Sequence, residues 1–187
     1  MSLSFVLPSL SSIFIVFLVF NFHCINGELI GDVCKKASTP VTDPQLTYNF
    51  CVTSLSANPA SKDADLLGLG EISMQTCLGN AIFIHSYIDE ILKDGKEIPT
   101  AKPSLEYCLN LYSDAIRSIQ KAKNLGGLFK NKDYSSVNTH MSAAMDASTS
   151  SEDGFKEVSQ GLTSPLTKQD GDFFQLTGIS LTITRMI

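Results

Sequence analysis

The feature that most constrains this chain is the repetition of apolar or small side chains at every third or fourth position in four long segments. The segments run from Leu67 to Ile91, from Leu105 to Ala122, from Tyr134 to Val158 and from Phe173 to Ile187. Residues at this spacing lie on one face of an α-helix, because a turn takes about 3.6 residues. The sequence therefore predicts four long amphipathic helices, each with one buried face.

Residues that begin or end helices lie between these segments. Ser61 and Asp63 are candidate N-caps for the first helix, and Gly95 is expected to end it. Gly126-Gly127 is expected to end the second helix, and Thr167–Asp170 has the spacing of a capping box at the start of the fourth. Short connections of this kind join antiparallel neighbours. The predicted architecture is therefore all-α, an up-down-up-down four-helix bundle.

Two shorter helical stretches precede the bundle, at residues 29–38 and 43–56, and prolines separate them. Each stretch carries one cysteine, Cys34 in the first and Cys51 in the second. A bridge between them would clamp the two stretches and stabilise the fold by about 3 kcal/mol in the chain-entropy account. The sequence thus predicts an N-terminal helical hairpin that a disulfide would close.

The N-terminal segment 1–27 differs from the rest because it contains no Lys, Arg, Asp or Glu. An apolar run at residues 13–20 is followed by the small residue Gly27, which is the pattern of a secretory signal peptide and its cleavage site. An uncleaved membrane anchor is the alternative, and Pro8 and five serines argue against it. Cleavage would leave one secreted domain, residues 28–187, with no membrane segment.

Patterns for catalysis, metal binding or nucleic-acid binding are absent from residues 28–187. This sequence has no nucleophile elbow, P-loop or dinucleotide fingerprint. His85 and His140 lack a second ligand at metal-site spacing, and the cysteines are too scattered for a zinc site. A net charge of −5 without Lys or Arg clusters argues against phosphate contacts. We expect a protein that is not an enzyme, needs no cofactor or metal and binds no nucleic acid.

Seven short segments, in order along the chain, carry a family resemblance. They are Cys34-Lys-Lys with Tyr48-Asn-Phe-Cys51, Ser54-Leu-Ser-Ala-Asn-Pro59, Ala64-Asp-Leu-Leu-Gly-Leu69, Tyr107-Cys-Leu-Asn-Leu-Tyr-Ser-Asp-Ala-Ile116, Met141-Ser-Ala-Ala-Met145 and Glu152-Asp-Gly-Phe155. Together they span nearly all of residues 28–187. On these segments the chain resembles the plant invertase/pectin methylesterase inhibitor family.

The resemblance implies a fold, a location and a partner. The fold is the bundle with an N-terminal hairpin, and the location is the apoplast or cell wall, with the vacuole as an alternative. The partner would be a plant enzyme whose active-site cleft the protein covers in a one-to-one complex. Acid invertase of the cell wall or vacuole is the expected target, and pectin methylesterase is the alternative. An allergen-like pollen or cell-wall protein with the same fold and no inhibitory activity is a third option.

This chain departs from the family's pattern in its cysteines. The family's second disulfide joins the cysteine at Cys108 to one just before the Glu-Asp-Gly-Phe motif, where this chain has Ser151. Cys77 is an extra cysteine, and we expect Cys77 and Cys108 to be buried free thiols, with a disulfide between them as the alternative. The Ser151 hydroxyl is expected to bond to the carbonyl four residues earlier. A Pro-Lys-Phe tripeptide, associated with invertase inhibitors that plug the active site, does not occur.

The polar faces of the second and third long helices are the candidate enzyme-binding surface. They present Glu106, Asn110 and Asp114 on the second helix, and Asn138 and Glu152 on the third. Ordinary solvated surface is the alternative for each residue taken singly, since the polar face of a helix usually meets water. The net negative charge suits a basic partner, and it would speed association more than it tightens binding.

Overall fold

Helices dominate the computed structural model, which describes residues 27–39, 46–95, 100–124, 131–158 and 163–187. Helix α1 occupies residues 27–37, α2 occupies Tyr48–Ser56, and a 3₁₀ helix follows at Pro59–Lys62. The long helices are α3, Leu66–Asp94; α4, Lys102–Asn124; α5, Tyr134–Val158; and α6, Thr167–Met186. These ranges contain no strand, so the all-α prediction is confirmed. The predicted signal peptide lies outside the described residues, apart from Gly27.

The four long helices form a closed ring in which each one packs against two others. Contacts run from α3 to α4, from α4 to α5, from α5 to α6, and from α6 back to α3. Helix α3 has 29 residues and is therefore about 43 Å long. The few residues between Asp94 and Lys102, or between Val158 and Thr167, cannot return to the far end of such a helix. Consecutive helices are therefore antiparallel, which gives the predicted up-down-up-down bundle.

The bundle core is built from the predicted apolar stripes. Every member of the α4 stripe from Leu105 to Ala122 is buried. Tyr112 in this stripe meets Phe173 of α6 edge-on, with ring centroids 5.3 Å apart, and Phe155 of α5 is enclosed in the same cluster. Burying a large apolar side chain contributes roughly 1.5–3 kcal/mol. The stripes therefore supply most of the driving force that closes the ring.

The predicted end of α3 is correct, whereas its predicted N-cap is not. Asp65 is the N-cap, and its Oδ1 accepts from the Gly68 N–H at 2.8 Å. The predicted caps are wrong, because Ser61 is buried within the 3₁₀ helix and Asp63 is the residue that ends it. At the other end, Gly95 has φ 65°, a left-handed conformation that glycine adopts without a Cβ clash, and the predicted stop is confirmed.

The N-terminal hairpin is closed by a disulfide between Cys34 of α1 and Cys51 of α2, whose Cα atoms are 5.5 Å apart. Both cysteines are fully buried, and Leu55 of α2 is buried beside them. Their apolar cluster includes Ile179 and Ile183 of α6. The hairpin therefore packs on the last helix and forms a second, smaller core there.

Helix α6 is enclosed on both sides, by the bundle and by the hairpin. Every residue from Leu176 to Thr184 is buried. Thr177 and Thr182 donate to carbonyls four residues earlier, each at 2.9 Å, and Ser73 of α3 donates to Ser180 at 3.0 Å. A helix rich in hydroxyls can occupy the centre of the protein because these groups find acceptors close by.

Reduction of the Cys34–Cys51 disulfide is expected to lower the free energy of unfolding by about 3 kcal/mol, because the unfolded hairpin gains conformational freedom. Urea unfolding followed by circular dichroism, with and without a reductant, measures this difference. The variant Cys34→Ala/Cys51→Ala should lose a similar amount and then show no response to reductant, which separates the disulfide from the free thiols. An unchanged unfolding midpoint on reduction would contradict a stabilising role for the bridge.

Candidate functional site

A buried polar cluster lies where α4, α5 and α6 meet, inside an otherwise apolar bundle. Its members are Cys108 and Tyr112 of α4, Ser151 of α5 and Asp170 of α6, and each is at most 2% exposed. Tyr112 Oη donates to Asp170 Oδ1 at 2.5 Å, and Ser151 Oγ donates to Cys108 Sγ at 3.0 Å. Leaving such groups unpaired would cost about 1–3 kcal/mol each. These two bonds therefore join three bundle helices through polar contacts.

The Asp170 carboxyl loses its proton at a higher pH than an ordinary aspartate, because its pKa is raised. Burial raises its pKa to about 7, and the nearby Glu152 adds to the rise, whereas the Tyr112 and Ser151 hydroxyls oppose it by favouring the carboxylate. Ser151 has one hydroxyl proton, so it serves either this carboxyl or the Cys108 sulfur. When the Ser151 hydroxyl donates to the Cys108 sulfur, Asp170 Oδ2 has no hydrogen-bond partner within the described residues.

Asp170 does not have the role that its spacing predicts. Helix α6 begins at Thr167 with Leu166 as its N-cap residue and without a side-chain cap. The capping-box prediction is therefore wrong, because the Asp170 carboxyl turns inward to Tyr112. Asp170 lies one turn before Phe173 and extends the apolar stripe of α6 by one position. That periodicity is the signal in the sequence that places this carboxyl in the core.

Cys77 and Cys108 are free thiols, and both are buried. Burial raises the pKa of the Cys108 thiol to about 11 and raises the pKa of Cys77 further, so both stay protonated near neutral pH. The Ser151 hydroxyl bonds to Cys108 Sγ, so the predicted bond to its own helix carbonyl is wrong. Ser151 is thus in direct contact with the sulfur that the family's pattern would cross-link.

A groove with a volume of about 340 Å³ opens beside the cluster, between α5 and α6. Asp153 and Lys156 form an exposed ion pair at 3.5 Å on its α5 side. Glu152 Oε1 is buried there and, like Asp170 Oδ2, has no hydrogen-bond partner in the part of the chain that the structure describes. The lining includes Thr149, Glu152, Asp153, Lys156, Asp170 and Phe174. The groove therefore combines two unpaired acceptors with an aromatic ring.

The five residues predicted to contact a partner enzyme do not share one surface. Glu106, Asn110 and Asp114 are exposed along one side of α4, where Glu106 Oε1 lies 3.9 Å from Lys102 Nζ. Asn138 accepts a hydrogen bond from α6 at 2.5 Å, and Glu152 lines the groove. The structure thus brings the three α4 residues together and turns the two α5 residues toward α6. A contact between any of them and an enzyme stays a prediction.

Tyr107 gives this side of α4 an exposed aromatic ring that the sequence-based prediction did not include. Its side chain is 48% exposed. The ring lies against Gly154 of α5, where an added Cβ would come within 2.8 Å of Cε1. Glycine at this position therefore lets the ring approach the neighbouring helix. The spacing of Tyr107 from Asn110 and Asp114 places all three on one side of α4, and the signal for it was a glycine inside a helical pattern.

The chemistry that the site offers is hydrogen bonding and charge. Within the described ranges, no group of three or more His, Cys, Asp or Glu side chains could hold a metal ion. His85 and His140 are half-buried on different helices, α3 and α5. In the part of the chain that the structure describes, no helix is both long enough and apolar enough to cross a bilayer.

Comparison with known proteins gives one consistent result. A family model described as plant invertase/pectin methylesterase inhibitor matches residues 28–183. A protein of Platanus orientalis described as "Putative invertase inhibitor" is 44% identical over 166 residues, which cover 89% of this chain and 94% of that protein. "Pectinesterase inhibitor 12" of Arabidopsis thaliana is 35% identical over 180 residues, covering 93% and 99%. A crystal structure of a mutant pectin methylesterase inhibitor from Arabidopsis has a TM-score of 0.66 at 24% identity, covering 81% and 97%.

Replacing Ser151 with cysteine is expected to create a second disulfide with Cys108, since the Ser151 oxygen already lies 3.0 Å from the Cys108 sulfur. Closing this longer loop should raise the free energy of unfolding by about 4 kcal/mol in the chain-entropy account. Peptide mapping without reductant identifies the bridge, and urea unfolding measures its effect. The control Ser151→Cys/Cys108→Ser keeps one thiol of this pair, in addition to Cys77, and cannot form the bridge. Three titratable thiols in oxidised, unfolded Ser151→Cys without residues 1–27, rather than the single thiol of Cys77, would contradict the predicted proximity.

Asp170→Asn is expected to remove a pH-dependent cost to stability. The Asp170 pKa is about 7 in the folded protein against an ordinary value of 3.8, so the folded state holds this proton more tightly than the unfolded state. The contribution of Asp170 to the free energy of unfolding is therefore largest below pH 4. It falls as the pH rises toward 7, where the buried carboxyl must lose its proton in the folded protein. Relative to the variant, the wild type should lose roughly 2–4 kcal/mol across this interval. Urea unfolding at about pH 4 and about pH 7.5 measures the loss.

Asp172→Asn is the matched control for that experiment. Asp172 lies on the same helix, is partly exposed and pairs with Lys168. Exposed ion pairs contribute at most about 1 kcal/mol, so this variant should keep the wild-type pH dependence. If Asp170→Asn and the wild type lose the same stability between the two pH values, Asp170 is not the group that titrates.

Proposed function

Since this chain belongs to the plant invertase/pectin methylesterase inhibitor family, we propose that it inhibits a plant acid invertase by binding it one-to-one and blocking its active-site cleft. The observation that carries this proposal is the 44% identity over 94% of a relative described as "Putative invertase inhibitor". In this proposal the protein performs no catalysis itself. The names of its relatives, which are those of inhibitors, support that part.

The exposed side of α4 is the proposed contact surface. Tyr107 would act as its anchor, because large aromatic side chains often contribute most of the energy at protein interfaces. Glu106, Asn110 and Asp114 flank the ring along the same helix and offer hydrogen-bond acceptors. The ring already rests on Gly154, so little side-chain freedom is lost when a partner binds. A rigid bundle that presents a fixed aromatic side chain suits inhibition by surface contact.

Pectin methylesterase inhibition is the second candidate function. "Pectinesterase inhibitor 12" matches over nearly the whole length of both chains. The net charge of −5 suits a basic target enzyme, since opposite charges speed association. The absence of the Pro-Lys-Phe tripeptide, which the resemblance associates with invertase inhibitors, also favours this alternative.

The proposed location is the apoplast or cell wall. Residues 1–27 would be removed as a signal peptide, leaving the domain 28–187 that the family model covers almost completely. The Cys34–Cys51 disulfide supports an oxidising compartment, where such bonds persist. The relatives give no support to the vacuolar alternative.

Titration of purified residues 28–187 against a cell-wall invertase and a pectin methylesterase, at about pH 5, decides between the targets. We expect invertase activity to reach its minimum at one equivalent of the protein, with pectin methylesterase activity unchanged. The reverse pattern would establish the second candidate. Inhibition of neither enzyme would reject both and leave the non-inhibitory pollen or cell-wall protein.

Tyr107→Ala tests the contact surface in the same assay and should weaken the inhibited complex by about tenfold or more. Tyr48→Ala is the matched control, because Tyr48 is 41% exposed but belongs to the hairpin helix α2. Its loss of affinity should be less than about twofold. Circular dichroism verifies that both variants fold. Equal effects of the two substitutions would reject the α4 surface while leaving the inhibitory function intact.

A further inference from the structure

The groove between α5 and α6 carries an excess of negative charge that the proposed inhibitory surface does not use. Three carboxylates line it: Glu152 and Asp153 from α5, and Asp170 from α6. Lys156 supplies the positive charge among the lining residues, and it pairs with Asp153 at 3.5 Å. Since both members of that pair are well exposed, they largely offset one another in water. The remaining charge of the groove comes from Glu152 and Asp170.

Glu152 and Asp170 also lack the donors that buried carboxylates normally have. Asp170 is 2% exposed, and Tyr112 bonds to only one of its two oxygens. Its Oδ2 and Glu152 Oε1 are both shielded from solvent and have no hydrogen-bond partner among the described residues. Buried acceptors without partners are rare in native proteins because they are costly. When the Ser151 hydroxyl donates to the Cys108 sulfur, neither oxygen has a donor from the described chain.

We propose that this groove binds an organic cation with several N–H donors, of the guanidinium or primary ammonium type, through Glu152 and Asp170. A guanidinium group is planar and presents paired donors that match carboxylate oxygens. Phe174 lines the same groove and provides an aromatic surface for the cation or its alkyl chain. The volume of about 340 Å³ is within the range of small-molecule sites.

The two carboxylates have complementary positions for this role. Asp170 is fixed by its bond to Tyr112 and is one of the residues that line the groove. Glu152 is half-buried and has a longer, more flexible side chain, so a rotation about its side-chain bonds brings its carboxylate to the ligand. The site therefore combines one rigid and one adjustable acceptor.

The charge of Asp170 depends on the groups that surround it. Glu152 faces it from α5, and Tyr112 and Cys108 face it from α4. Lys168 and Asp172, on its own helix, pair with each other. Because the Asp170 pKa is raised to about 7, this carboxyl is protonated near pH 5 and ionised near pH 8. The proposed site therefore binds cations more tightly at the higher pH.

Calorimetric titration at about pH 8 with butylguanidinium and with butylurea, its neutral analogue of the same shape, tests the proposal. We expect butylguanidinium to bind about tenfold or more tightly than butylurea. It should also shift the backbone amide NMR signals of Thr149 and Gly171, which line the groove. Repeating the titration at about pH 5 should weaken the binding of butylguanidinium and leave butylurea unchanged.

Isosteric variants identify the acceptors. Glu152→Gln and Asp170→Asn should each weaken butylguanidinium binding by about tenfold. Asp172→Asn makes the same change of charge on α6 outside the groove and should change binding by less than about twofold. Circular dichroism shows whether the variants fold. Binding of butylurea equal to that of butylguanidinium, or the same affinity in Asp170→Asn and Asp172→Asn, would overturn the proposal.

The source of the natural cation is a separate question, and the inhibited enzyme complex answers it. If a lysine or arginine side chain of the enzyme occupies the groove, Glu152→Gln should weaken the complex by about tenfold and butylguanidinium should compete with the enzyme. If the occupant is a free small molecule, the complex is unchanged while butylguanidinium binding is still lost. Either result supports the cation site, which does not depend on which enzyme the protein inhibits.

Discussion

The enclosure of α6 is the constraint on which the rest of the structure depends. Phe173 and Leu176 of this helix belong to the bundle core, and Ile179 and Ile183 belong to the core beneath the hairpin. Helix α6 also closes the ring between α3 and α5. Without it the bundle would be an open three-helix layer, and the disulfide-linked hairpin would lose the apolar surface that Ile179 and Ile183 provide. The protein therefore consists of two cores that share one helix.

The junction of α4, α5 and α6 uses hydrogen bonds where the family's pattern would place a covalent bond. A disulfide acts mainly by restricting the unfolded chain, whereas the Tyr112–Asp170 and Ser151–Cys108 bonds exist only in the folded state. The hairpin is therefore sensitive to reductant, and the bundle is sensitive to pH through Asp170. An acidic compartment favours the protonated carboxyl and so favours this junction.

The long helices were predictable from the sequence because burial determines both the apolar spacing and the stability of each helix. The complete burial of the α4 stripe is one example. The N-cap at Asp65 was not predictable, since residues of capping type occur at several nearby positions and the 3₁₀ helix decides between them. Asp170 was misassigned because its partner, Tyr112, is 58 residues away. The groove depends on how two separate helices pack, and no local pattern in the sequence records that packing. The family resemblance did not need the groove, because it rests on short sequence segments.

The packing of the hairpin on α6 joins segments that are far apart in the order of synthesis. The Thr47 backbone N–H donates to Gln175, which lies 128 residues later. At ribosomal speeds, an interval on the order of ten seconds separates the appearance of the two segments. Throughout that time the hairpin lacks the apolar cover that Ile179 and Ile183 provide. Helix α6 contains four Thr, two Ile and two Gly in 20 residues, so it has little tendency to form a helix before it docks. The nascent chain therefore passes through a stage in which part of this apolar surface stays exposed to solvent.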